Sequence, residues 1–269
     1  MPLTDLPASS TGPDAAVVRV LSYNIRSMRD DREALARVIR ACAPDVVCVQ
    51  EAPRFFRWRK AAAWLARETG LVYTTGGATA AGPMILTSLR AHVERAEDTL
   101  LPRVPGLHRR GFATAVLRFG GGHRDTGGPE NGDGNGNGVR LGVVSCHLSL
   151  AAAERYDQAG MLLDHLAALD VPYAIAAGDI NDRPDGRAFR RIAGKLRDGW
   201  ATEPWGSEAT FSPEDPHQRI DAVFASEGIE IIGCGVPAGL PGVTDADLRA
   251  ATDHLPVLAA LRLPRVSPV

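Results

Sequence analysis

AVVRVLSYNIRSMRDDREALARVIRACAPDVVCVQEA, residues 16–52, sets the architecture of this chain. Its two ends, AVVRVLSYNI (16–25) and DVVCVQEA (45–52), are short, β-branched and bounded by turn residues, which predicts two buried strands. Between them Leu35, Val38, Ile39 and Cys42 recur at the spacing of one helix face, and Pro44 closes that helix. Trp58, Ala61, Ala62 and Leu65 repeat the pattern in a second helix ending at Gly70. Further strands are expected near 71–75, 83–87, 112–119 and 139–148, then a helix near 152–169 and the strand YAIAAGD (173–179). A short helix near 186–194 and strands near 219–225, 229–234 and 256–262 complete the pattern.

Composition narrows the function classes. The 269 residues are 45% hydrophobic and 23% charged, too apolar for a disordered chain. The net charge of −2 supplies no global basic field, and the lack of a Lys/Arg block counts against a duplex-DNA binder. Only Lys60 and Lys195 are lysines; a GC-rich genome gives the same arginine bias without function. The four cysteines lack CxxC spacing and read as buried reduced thiols. No apolar run approaches the ~18 residues of a membrane span. The start of the chain shows neither the basic nor the apolar region of a signal peptide, so a cytoplasmic monomer is expected. Residues 1–14 read as a flexible tail and 15–269 as one domain. The Gly/Asn-rich stretch 120–138 reads as a flexible hairpin loop, with a lid as the alternative.

The informative anomaly is polar chemistry where buried strands end. Asn24 follows VLSY, Gln50-Glu51 follow VVCV, His147 follows LGVVSC, and Asp179 and Asn181 follow AIAAG. Asp253-His254 precede LPVLAAL, and Asp221 opens DAVF. One such residue is an ordinary turn or edge position. Six strand ends in one chain point instead to a shared rim, because strand ends of a layered fold converge there. The donors are hard oxygens and two imidazoles with no thiolate, a set that suits Mg²⁺ or Mn²⁺ rather than zinc.

SYNIR (22–26), PDVVCVQE (44–51), SCHLS (145–149), AGDIND (177–182), RIDAVFAS (219–226) and TDHLPV (252–257) resemble, in order, the motifs of the endonuclease/exonuclease/phosphatase superfamily of DNase I-like phosphoesterases. The resemblance spans about residues 17–262, and its one mild departure is Thr252 where serine is commoner. It implies an α/β fold: a four-layer sandwich of two mixed β-sheets, face to face, flanked by helices.

The resemblance also implies roles. Glu51 would hold Mg²⁺ or Mn²⁺, helped by Asn24, and Asp253 would serve the metal or proton transfer. Asp179 would orient or deprotonate the attacking water, and Asn181 would fix that carboxylate and touch the phosphate. His254, paired with Asp221, would donate to a non-bridging phosphate oxygen, and His147 would contact the phosphate or assist the leaving group. The expected activity is metal-dependent hydrolysis of a phosphodiester or phosphomonoester. Its substrate stays open among nucleic acid, nucleotide and small or lipid-headgroup phosphoesters. A non-catalytic phosphate-ligand scaffold of the same fold is the alternative. Arg155 and Gln158, one turn apart on the helix after His147, read as a solvated face. Arg109-Arg110-Gly111 stands where the family's tyrosine has no counterpart, so no role is assigned there.

Overall fold

The computed structural model describes residues 6–120 and 138–265. Strand β2 (Ala15–Asn24) leads into helix α1 (Arg32–Cys42) and strand β3 (Val46–Gln50). Asp31 caps α1 by accepting hydrogen bonds from the Glu33 and Ala34 amides, and Ala43 ends it in the left-handed conformation. The strands look uniformly apolar because both of their faces are buried. In β2, Ala16, Val18 and Val20 face one apolar cluster, while Leu21 and Tyr23 face another with Leu35, Val38 and Ile39 of α1. In β3, Val46 and Cys48 join the first row and Val47 and Val49 the second.

The chain continues through α2 (Trp58–Thr69), β4 (Val72–Gly76), β5 (Met84–Thr87), β6 (Ala91–Leu100), β7 (Gly111–Phe119) and β8 (Val139–His147). Then follow α3 (Ala152–Ala167), β9 (Tyr173–Asp179), α4 (Arg187–Ala193), β10 (Arg197–Asp198) and α5 (Gly199–Thr202). Strand β11 (Asp221–Ala225), β12 (Glu230–Gly235), α6 (Asp245–Ala251) and β13 (Val257–Pro264) close the fold. A two-residue strand, β1 (Ser10–Thr11), pairs with β2.

Among the described residues the strands make two mixed sheets, ordered β12-β13-β2-β3-β5-β4, with β1 beside β2, and β10-β11-β9-β8-β7-β6. Only β2/β3 and β8/β9 pair in parallel. One apolar cluster fills the space between the sheets; two others pack each outer face against helices, α1, α2 and α6 on one side and α3 and α4 on the other. Helices, sheet, sheet and helices are the four layers the motifs implied. No helix among the described residues is long and apolar enough to cross a membrane.

Three elements depart from expectation. The stretch expected as a loose tail is held from residue 6 onward: Leu6 is buried beside Trp205, and Ser10 and Thr11 lie on β2. Strand β6 escaped the sequence reading because it is an exposed sheet edge rich in charge, which removes the apolar signal and protects the edge. Helix α6 is short and announced only by its Thr244 cap. Residues 121–137 lie outside the described residues; Phe119 and Val139, close to their ends, pair directly at the end of β8 remote from His147.

Candidate active site

The inward rows of the central strands explain where the site forms. Along β2 the inter-sheet face runs Ala16, Val18, Val20 and then Ser22 and Asn24. Along β9 it runs Tyr173, Ile175, Ala177 and then Asp179. Both rows turn polar at the same end of the sandwich, so residues from opposite sheets meet there: Asn24 Nδ2 donates to Asp179 Oδ2 at 3.1 Å. The parallel register places His147 beside Asp179, and the antiparallel register places Asp221 beside Asp179 from the other side. A Cβ at Gly178 would clash with the Cys146 carbonyl of the neighbouring strand, which accounts for the glycine before Asp179.

Asp179 is the hub. Its Oδ1 accepts the Asn181 amide at 2.9 Å, and its Oδ2 lies 3.3 Å from His147 Nε2 and 3.9 Å from His254 Nε2. Burial, followed by the charge of Asp221, pushes the Asp179 carboxyl up to about 7, against the pull of His254. His254 Nδ1 stands 2.9 Å from Asp221 Oδ2. Burial alone would lower that imidazole, but Asp221, then Asp179 and Asp253, push it up to about 10. His147 goes the other way: burial, then Arg110 and His254, hold it well below the ordinary value and therefore neutral. Thr210 fixes Asp221 from behind, its Oγ1 accepting the Ile220 and Asp221 amides, and the Phe211 ring packs 5.1 Å from that of His254.

Glu51 follows β3 in the left-handed region, φ 52°, and faces a cavity of about 580 Å³ shared with His147, Asp179, Asn181 and His254. Its carboxylate receives only the Asn24 amide at 3.5 Å, and among the described residues it has no cationic partner. Asp221 Oδ1 is buried without a hydrogen-bond partner. A half-buried, weakly satisfied carboxylate beside buried acids fits a hard divalent cation. Asn24 turns its NH₂ toward Glu51 and Asp179 while its Oδ1 accepts the Arg26 amide, so it bridges the two acids. Asp253 sits apart, partly exposed and 3.3 Å from Arg26 Nε. Asp179, Asp221 and His254 also gather ligand atoms within 4.8 Å, but the His254–Asp221 hydrogen bond already engages that set internally.

Arg110 is a cavity residue to which the sequence reading gave no role. It is only 9% exposed, lines the cavity, and leaves Nε unpartnered. A Cβ at Gly111 would meet the carbonyls of Ala80 and Thr99 at 2.6 Å, so the glycine lets the chain after Arg110 press against its neighbours. Gln158 and Arg155, read as a solvated face, instead brace the turn after His147. Gln158 is buried and accepts the Ser149 amide at 2.8 Å; Arg155 donates to the Ser149 and Leu150 carbonyls and lies 3.5 Å from Asp182. Buried polar partners of a loop cannot be told from helix periodicity alone.

The two parallel strand pairs bring Asn24, Glu51, His147 and Asp179 to one rim, and the segment before β13 adds His254. Residues 21–254 match the model of the Endonuclease/Exonuclease/phosphatase family, and the chain belongs to that family. Solved structures agree on the fold. An endonuclease/exonuclease/phosphatase from Bacteroides vulgatus is 18% identical, covering 92% of this chain and 99% of its own, with a TM-score of 0.67. A mannosyl-6-phosphatase from Bacteroides thetaiotaomicron is 17% identical, covering 91% and 99%, with a TM-score of 0.68. Truncated TDP2 from Caenorhabditis elegans is 16% identical, covering 91% and 97%, with a TM-score of 0.62. No curated protein matches the chain.

Proposed function

We propose that the protein is a divalent-metal-dependent phosphoesterase that hydrolyses a P–O ester by in-line attack of water. The observation that carries this reading is the convergence on Asp179 of Asn24, Asn181 and two imidazoles in different charge states, beside the weakly hydrogen-bonded carboxylate of Glu51. Asp179, raised toward neutrality, is matched to accept a proton from water near pH 7. The Asn181 amide and the Asn24 NH₂ hold its two oxygens, so its orientation is fixed before substrate arrives. His254, kept protonated by Asp221, presents Nε2 as a donor to a phosphate oxygen that gains charge in the transition state. His147, neutral, supplies a second ring at the same oxygens. Arg110 offers a guanidinium for phosphate binding.

Glu51, with Asn24 beside it, is the proposed holder of Mg²⁺ or Mn²⁺, whereas Asp253, expected to serve the metal, pairs with Arg26 outside the cavity lining. When bound, the cation supplies Lewis-acid stabilisation of phosphoryl charge. Purified protein assayed on bis-p-nitrophenyl phosphate and on plasmid DNA, with and without EDTA, tests the reading. Turnover that EDTA abolishes and Mg²⁺ or Mn²⁺ restores supports it. Metal-independent turnover, or tight phosphoester binding with no turnover in either metal, overturns it.

A further inference from the structure

The segment RFFRWRK, residues 54–60, leaves the cavity at Arg54 and runs into the N-terminus of α2. Phe55 and Phe56 are 81% and 88% exposed. The guanidinium groups of Arg54, Arg57 and Arg59 stand over Phe55, Phe56 and Trp58 at 5.7, 5.1 and 4.4 Å. Among the described residues, none of Arg54, Arg57, Arg59 and Lys60 forms an ion pair with a carboxylate. The sequence reading found no basic block because aromatics interrupt this one; four cations in seven residues correct it.

The other sheet contributes an apolar wall to the same mouth. Leu150, 72% exposed, lines the cavity after β8. Val104 and Leu107, next to the cavity residue His108, wall an adjoining apolar hollow of about 320 Å³ with Leu101 and Met161. Exposed apolar groups concentrated at a site mark an interaction surface, and unpaired cations among them match an anionic one. Phe55 and Phe56 offer flat faces to a base and to an acyl chain alike, but Leu150, Val104 and Leu107 have none and suit acyl chains.

We propose that this rim docks on an anionic lipid bilayer, with Phe55 and Phe56 entering the acyl boundary and Arg57, Arg59 and Lys60 meeting lipid phosphates. The cavity then faces the phosphoesters of lipid headgroups; that last step rests on the phosphoesterase reading above, and the docking does not.

Flotation of the full chain in EDTA, with phosphatidylcholine vesicles with and without phosphatidylserine at physiological salt, reads docking without turnover. The protein floats with the phosphatidylserine vesicles. The Phe55→Ser/Phe56→Ser double variant loses at least ~10-fold in partitioning. Arg57→Gln/Arg59→Gln/Lys60→Gln loses roughly fivefold per charge and no longer distinguishes the vesicles. Both variants change exposed groups and keep the parent melting temperature. A wild-type chain that stays in the soluble fraction, or floats no better than the variants, overturns the proposal. So does a single-stranded oligonucleotide bound through the same side chains while vesicles are ignored. Vesicle binding without turnover of bis-p-nitrophenyl phosphate upholds the docking and removes only the phosphoesterase reading; turnover without vesicle binding does the reverse.

Discussion

His147 Nε2 and His254 Nε2 approach one oxygen, Asp179 Oδ2, at 3.3 and 3.9 Å, and the fold holds one ring neutral and the other charged. The difference comes from the charged neighbours of each ring. His254 has Asp221 at its Nδ1, whereas His147 is buried and faces the positive charge of Arg110. Two identical side chains thereby become a proton donor and a neutral partner around a single carboxylate.

Asp179→Asn keeps the shape of the hub but removes the proton acceptor. The expected loss in kcat is ~10²–10⁴, and added metal does not restore it. Glu51→Gln instead raises the Mg²⁺ concentration needed for half-maximal rate, and high metal partly recovers turnover. Steady-state kinetics across a metal titration separate the two; an Asp179→Asn enzyme as fast as its parent refutes the assigned base.

His254 binds its proton more tightly in the fold than in the unfolded chain, where imidazole titrates near 6.5. Its contribution to the metal-free protein is therefore complete below pH 6.5 and is lost as pH rises toward about 10. Between about pH 7.5 and 9, once Asp179 has largely titrated, stability falls as pH rises, by an amount on the order of 1 kcal/mol per pH unit. Asp221→Asn removes the principal partner and flattens that slope. Denaturant titrations at several pH values check it, and equal slopes in both proteins would count against the pairing.

Arg110→Gln takes away a buried guanidinium aimed at the cavity while leaving the acids in place. KM for a phosphoester rises by about tenfold or more, on the scale of a charge-assisted hydrogen bond, with a smaller change in kcat. An unchanged KM would assign Arg110 to packing alone.

Replacing residues 121–137 with an Asn-Gly turn joins strands already paired at Phe119 and Val139. Loop length changes closure entropy by only about 0.6 kcal/mol per doubling, so stability stays close to the parent. Turnover also persists, because that end of the sheet is remote from His147. A folded variant with little activity would identify a lid.

The sequence disclosed the central strands because each is buried on both faces, and it disclosed the site because polar residues end those apolar rows. Asn24, Asp179 and His147 were legible for this reason. Arg110 was not: beside Arg109 it has no local mark, and the cavity it lines is built from residues distant in sequence. Gln158 was hidden likewise, since its partner is the amide of Ser149 rather than a neighbour on its helix. Strand β6 carries an edge's charge and so lacked the period that betrays a strand.

The hydrogen bond from Asn24 to Asp179 joins positions 155 residues apart, and His254 follows well after Asp179 in the sequence. No early fragment holds this constellation, since one sheet supplies the amide and the other the carboxylate. During synthesis the proposed site is therefore incomplete until His254 has left the ribosome and the two sheets have closed on each other. Recovery of the proposed hydrolysis after denaturation is accordingly expected to follow the docking of the sheets, later than the appearance of secondary structure.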